Sequence, residues 1–98
     1  MSVPLTVIAR VRAKAGMESR LRQELQRLLA PTHAEAGCIN YFLHQSQDDP
    51  SLFVFYENWK SQGDLDTHFE TPHFKAALKL LPDLVEGPPE ITKWTIVK

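Results

Sequence analysis

The chain has 98 residues, 43% of them apolar and 23% charged, with a formal net charge of −1. That length suits one domain over residues 1–98 with a core of its own, and the composition excludes a disordered chain. Lysines and arginines are scattered, so the basic stripe of a nucleic-acid binder is excluded too. No apolar run reaches the ~20 residues of a membrane span. The start "MSVPLTVIARVRAK" has neither the charged front nor the cleavage site of a signal peptide. The single cysteine, Cys38, allows no internal disulfide, which fits a reducing cytoplasm.

In chain order, "PLTVIARVRAK" is β-branched and reads as a first strand, with Leu5, Val7, Ala9 and Val11 on one face. "MESRLRQELQRLLAP" reads as a helix whose Leu21, Leu25, Leu28 and Leu29 recur at helical spacing. Pro31 should kink it or open a fresh turn, and Gly37 should cap its C-terminal end. "CINYFLHQS" and "SLFVFYENW" flank "QDDP" and read as a hairpin. Ser61 and Asp64 have capping-box spacing for a short helix through Leu65, His68 and Phe69. Thr71 and Pro72 start another, striped by Phe74, Ala77, Leu78 and Leu81. "EGPPE" breaks that helix before "ITKWTIVK", a fourth strand.

The order β-α-β-β-α(α)-β implies an α+β, ferredoxin-like split βαβ fold: a four-stranded antiparallel sheet with helices on one face. Strand three is apolar on both faces, with Leu52, Val54 and Tyr56 opposite Phe53 and Phe55. Helices cover only one of them, so a homodimer burying the other is expected.

Alternation puts Glu57 and Trp59 on one face whatever the hairpin register. With the turn centred between Asp48 and Asp49, Asn40 lies across from Glu57 and Cys38 across from Trp59, and Phe42 and His44 join Phe53 and Phe55. A one-residue slip substitutes Ile39, Tyr41 and Leu43. His68 and His73 come from helices that fold back on the sheet. Glu57, Trp59, His68 and His73 can therefore meet at one end of a cavity suited to a small planar phenolic ligand. Blander roles compete: Trp59 and Tyr41 as core filling, Glu57 solvated, His68 as an amphipathic-face histidine and His73 in a helix's first turn. No histidine pair has zinc-motif spacing, so no metal is expected. "AGCIN" places no base beside Cys38. Neither a phosphate loop nor a dinucleotide fingerprint is present.

Taken together, "LTVIA", "AEAGCINYFLHQSQDDP", "FVFYENW" and "LDTHFETPHFKA" resemble, in order and spacing, the antibiotic biosynthesis monooxygenase domain family, small quinol-monooxygenase-like branch. The resemblance covers nearly the whole chain. It implies a ferredoxin-like protomer forming a dimeric α+β barrel, and oxidation of a quinol or phenolic aromatic molecule by O₂ with no metal or flavin cofactor. Residue by residue it matches Trp59, Glu57, His68 and His73. With the convergence above, catalytic roles are expected for His68, Glu57 and Trp59, with Asn40, Tyr41, Phe53, Phe55 and His73 binding substrate. The mechanism expected from convergence and resemblance together has His68, oriented by Glu57 directly or through water, accept a phenolic proton, with Asn40 or Tyr41 holding the oxyanion. Leu78 and Ala9 depart from the haem-degrading branch of the same fold. Isomerisation of a phosphorylated signalling sugar, a non-catalytic ligand-binding or stress-related dimer, and a purely structural partner module stay open as alternatives.

Overall fold

The computed structural model describes residues 3–98. Its elements are β1 (Leu5–Arg12), α1 (Glu18–Gln26), α2 (Leu29–His33), β2 (Cys38–Gln45), β3 (Leu52–Trp59), α3 (Gln62–Phe69), α4 (Pro72–Leu84) and β4 (Glu90–Thr95). The four strands form one antiparallel sheet in the order β2-β3-β1-β4. This is the split βαβ arrangement the element order implied.

Alternation decides which side of the sheet carries the core. Val7, Ala9 and Val11 of β1 are buried with Phe53, Phe55 and Trp59 of β3, and the helices lay Leu21, Leu25, Leu65, Leu81 and Leu84 over them. On α1 the arginines stay outside, Arg20 and Arg27 reaching Glu24 at 3.6 and 3.8 Å. The expected long second element is two helices. α1 ends at Gln26, and Pro31 falls in the first turn of α2, where its missing N–H costs no bond.

The dimeric α+β barrel is overturned as a description of the fold. The sheet is open, with β2 and β4 as its edges, and does not close on itself. On the far face of β3, Leu52 and Val54 are half-buried while Tyr56 is exposed, so that face is not enclosed. Polar groups cross it: the Thr6 hydroxyl donates to Asn58 Oδ1 at 2.6 Å, and Asn58 Nδ2 donates to Asn40 Oδ1 at 2.9 Å.

The hairpin register also departs from the expectation, for two local reasons. Its five-residue loop is centred on Asp49, not between Asp48 and Asp49, with Ser46 N–H donating to Leu52 C=O at 2.9 Å. Asp49 Oδ1 accepts from the N–H and hydroxyl of Ser51 at 3.1 and 2.6 Å, and its other oxygen takes the Arg12 guanidinium. These donors hold the Asp49 carboxyl down at about 2. Tyr41 therefore pairs with Glu57, and Leu43 with Phe55. A bulge between Cys38 and Asn40 then absorbs one residue, so Cys38 still opposes Trp59. Both register variants are thus realised, one on each side of Ile39.

Gly37 is not a left-handed helix cap, since among the described residues only Gly16 and Gly87 have positive φ. Its role is close approach. A side chain there would place its first carbon 2.3 Å from Asp64 Cβ. The missing side chain lets the first turn of α3 sit against the entry to β2, and Gly37 C=O takes the Lys60 N–H at 2.9 Å.

Candidate active site

Two walls meet beneath α3 and α4. The strand wall is built by the sheet. Glu57 and Trp59, two residues apart on β3, are both buried, and Trp59 Nε1–H donates to Glu57 Oε1 at 2.9 Å. Tyr41 enters from β2 because of the bulge and stacks on Phe55 with ring centroids 4.7 Å apart. The helical wall is fixed by two caps. Asp64 N–H donates to Ser61 Oγ at 3.1 Å to start α3, and Phe74 N–H to Thr71 Oγ1 at 3.2 Å to start α4. These starts bring His68, 1% exposed, onto the Trp59 indole at 4.6 Å, with Phe74 on its other flank at 4.9 Å.

Glu35 joins the two histidines. From the turn between α2 and β2, its Oε2 lies 2.7 Å from His68 Nδ1 and 2.8 Å from His73 Nε2. With the carboxylate as acceptor, both ring nitrogens donate, which puts the proton of a neutral His68 on Nδ1. Nε2 is then the free acceptor nitrogen.

The cavity between the walls has a volume of about 60 Å³. Tyr41, Phe55, Glu57 and His68 contribute its polar and aromatic inner end. Leu78 and Ile91, both substantially exposed, stand at its lip. No lysine or arginine lines it. The volume is below that of a drug-sized site.

Burial tunes these groups. It raises the Glu57 carboxyl to about 7, with the Trp59 hydrogen bond pulling down and the Glu35 charge pushing up. The Tyr41 phenol is pushed well above its ordinary value by burial and then by Glu57, so it stays protonated. The Thr32 hydroxyl pulls the other way, although it is fully buried and makes no well-formed hydrogen bond. Burial lowers His68, against the pull of Glu35, and favours the neutral ring. The Cys38 thiol is raised to about 11, which leaves it a poor nucleophile.

Residues 4–80 match the antibiotic biosynthesis monooxygenase family. The chain belongs to that family. It is similar to PA3566 of Pseudomonas aeruginosa, whose crystal structure superposes with a TM-score of 0.96 at 37% identity, covering 100% of this chain and 98% of that one. It is 31% identical over 83 residues to the probable quinol monooxygenase YgiN of Escherichia coli, covering 74% of this chain and 79% of that protein. An uncharacterized Synechocystis protein, sll1783, is 30% identical over 95 residues, and the match takes in 97% of this chain but 65% of that protein.

Within this member of the antibiotic biosynthesis monooxygenase family, the candidate residues fall into groups. Tyr41, Phe55, Glu57 and His68 line the cavity together. Trp59 stands behind them, bonded to Glu57 and packed at a tilt against His68. Phe53 is buried core outside the cavity lining. Asn40 is on the far face, bonded to Asn58, because the bulge turns it away. His73 touches Glu35 and borders an outer groove instead of the cavity. Glu35 is the member that sequence reasoning missed, and it, not Glu57, orients His68. Its one signal was its place in "AEAGC", a turn next to a strand, which says nothing about a contact 33 residues on. Glu35, His68 and His73 also form the donor set that histidine spacing gave no reason to expect, with ligand atoms all within 4.8 Å of one another.

Proposed function

We propose that this protein is a monooxygenase that oxidises a quinol or related phenolic ring with O₂, using His68 as its proton acceptor. The observation that carries the reading is His68 itself. It lines an apolar cavity while Glu35 holds its Nδ1 at 2.7 Å, leaving Nε2 for a substrate hydroxyl. A carboxylate behind an imidazole fixes the tautomer and favours the imidazolium that forms on proton transfer.

The ring lies along Tyr41 and Phe55, and Nε2 removes its phenolic proton. The resulting anion is electron-rich enough to reduce O₂ directly. Overall, quinol plus O₂ gives hydroxyquinone plus water: one oxygen atom is inserted into a ring C–H bond, and the other leaves as water with the two quinol hydroxyl hydrogens. The chain contributes proton removal, orientation and a dry site. Tyr41, held protonated, and Glu57, protonated in part at neutral pH, donate to developing oxyanions. The apolar lining without cations favours a ring over a phosphorylated sugar. A homodimer belongs to the same proposal, supported by exposed Phe42 and Tyr56 on strands β2 and β3. One 11.2 kDa species in sedimentation at micromolar concentration would remove it.

The decisive experiment measures oxygen consumption by metal-stripped protein with hydroquinones and naphthoquinols, corrected for autoxidation, beside His68→Ala. Saturable uptake that collapses in the variant is expected. Uptake at the autoxidation rate across the panel would leave ligand binding as the only activity of the cavity.

A further inference from the structure

The geometry points to a second function for the cluster behind the cavity: we propose that Glu35, His68 and His73 bind one divalent transition-metal ion of the zinc or cobalt type. Three donors from three elements converge there, Glu35 Oε2 from the α2–β2 turn, His68 Nδ1 from α3 and His73 Nε2 from the first turn of α4. Two imidazoles and one carboxylate suit first-row metals and leave a coordination position for water. His68 is immobilised between Trp59 and Phe74, whereas the Glu35 and His73 side chains are 12% and 21% exposed and open to an arriving ion.

At present one carboxylate oxygen sits between the two nitrogens and holds two protons an ion would replace. Metal–ligand bonds of about 2.0–2.2 Å put tetrahedral donors about 3.3 Å apart. The two half-buried side chains reach that spacing by moving on the order of 1 Å, with His68 fixed. The ion lies away from the cavity, since neither Glu35 nor His73 lines it. His73 borders an outer groove together with Glu24 and Arg27, and that arginine is engaged by Glu24 at 3.8 Å.

Position gives the ion its effect, and this step rests on the proposed base role of His68. With Glu35 accepting from Nδ1–H, the cavity faces a free Nε2 acceptor. A metal on Nδ1 takes that nitrogen's lone pair, so the ring's remaining proton resides on Nε2. The cavity then faces a donor, and the base is switched off. The ion is an inhibitor rather than a catalyst.

The test titrates Co²⁺ into chelator-treated protein and reads its visible absorption, with Zn²⁺ as competitor, for the wild type, His73→Ala, Glu35→Gln and the exposed control His44→Ala, all checked for fold by circular dichroism. One ion per chain is expected, with affinity at least about tenfold weaker in His73→Ala and Glu35→Gln and unchanged in His44→Ala. Absence of saturable binding, or binding indifferent to both ligand variants, overturns the site. ¹⁵N NMR of the imidazoles reads the switch without turnover: Zn²⁺ should move the His68 proton from Nδ1 to Nε2, and an unmoved proton overturns inhibition by this route. In the oxygen assay Zn²⁺ should suppress uptake and chelator restore it. A protein with no uptake in any state fails the monooxygenase reading, while the cobalt titration still decides the site.

Discussion

Two glutamates serve the two walls, Glu57 within the strand wall and half-buried Glu35 behind the helical one, and they do opposite work. Glu57 on the strand wall meets a neutral indole donor and is otherwise surrounded by core, so burial pushes it to about 7 and it is protonated in part at neutral pH. Glu35 behind the helical wall is met by two imidazoles. One acid is a proton store set by the sheet. The other is a hydrogen-bonded anchor for two rings, assembled only when α3 and α4 have docked. What separates them is the donors around them, since residue type is the same.

The largest expected effect breaks the helical wall at its centre. His68→Ala should lower turnover by about 10²- to 10⁴-fold with the fold retained, read from oxygen uptake and circular dichroism. Unchanged turnover would remove the helical wall from the chemistry. Glu35→Gln keeps an acceptor oxygen but loses the charge, so a smaller fall of about one to two orders of magnitude is expected, concentrated in kcat. If Glu57→Gln costs more than Glu35→Gln, the assignment of roles is reversed.

Glu57→Gln sharpens the contrast through stability. The folded carboxyl titrates near 7 against an ordinary 4.5, so the folded chain holds a proton the unfolded chain has released between those values. Stability contributed by this group is therefore present at low pH and lost as pH rises from about 4.5 to about 7. The amide should abolish that slope and raise stability at pH 8 by up to about 3 kcal/mol, measured by urea unfolding across pH. His68, with its value lowered, gives the opposite slope below its ordinary 6.5, where the unfolded ring gains a proton first. A smaller effect is expected at the joint between the walls. Gly37→Ala forces α3 away from β2 and should cost about 1–3 kcal/mol, leaving the Trp59–Glu57 bond intact.

Legibility in the sequence divides along the same line. The strand wall was readable wherever alternation alone decides: Val7, Ala9 and Val11 inward, and Glu57 with Trp59 on one face. Both helix caps were readable too, because Ser61–Asp64 and Thr71–Pro72 are local. The bulge at Ile39 was not, since an inserted residue leaves no pattern in "CINYFLHQ" and reverses which of Asn40 and Tyr41 faces inward. Glu35 was hidden because its partners lie 33 and 38 residues away on separate elements. The barrel went astray because it was taken from the family resemblance, and no pattern within the strands says whether the sheet closes; the order β2-β3-β1-β4 leaves both edges open.

The hydrogen bond between the Trp59 indole and Glu57 has an optical consequence. Trp59 is wholly buried beside a carboxyl that titrates near neutrality, while the other tryptophan, Trp94, is half-exposed on β4 and bonded only to Thr92. Trp94→Phe would leave a single tryptophan, excited selectively at wavelengths tyrosine does not absorb, whose emission follows the charge on Glu57. The protein would then report the protonation of its own cavity as a colour shift, before any substrate is known.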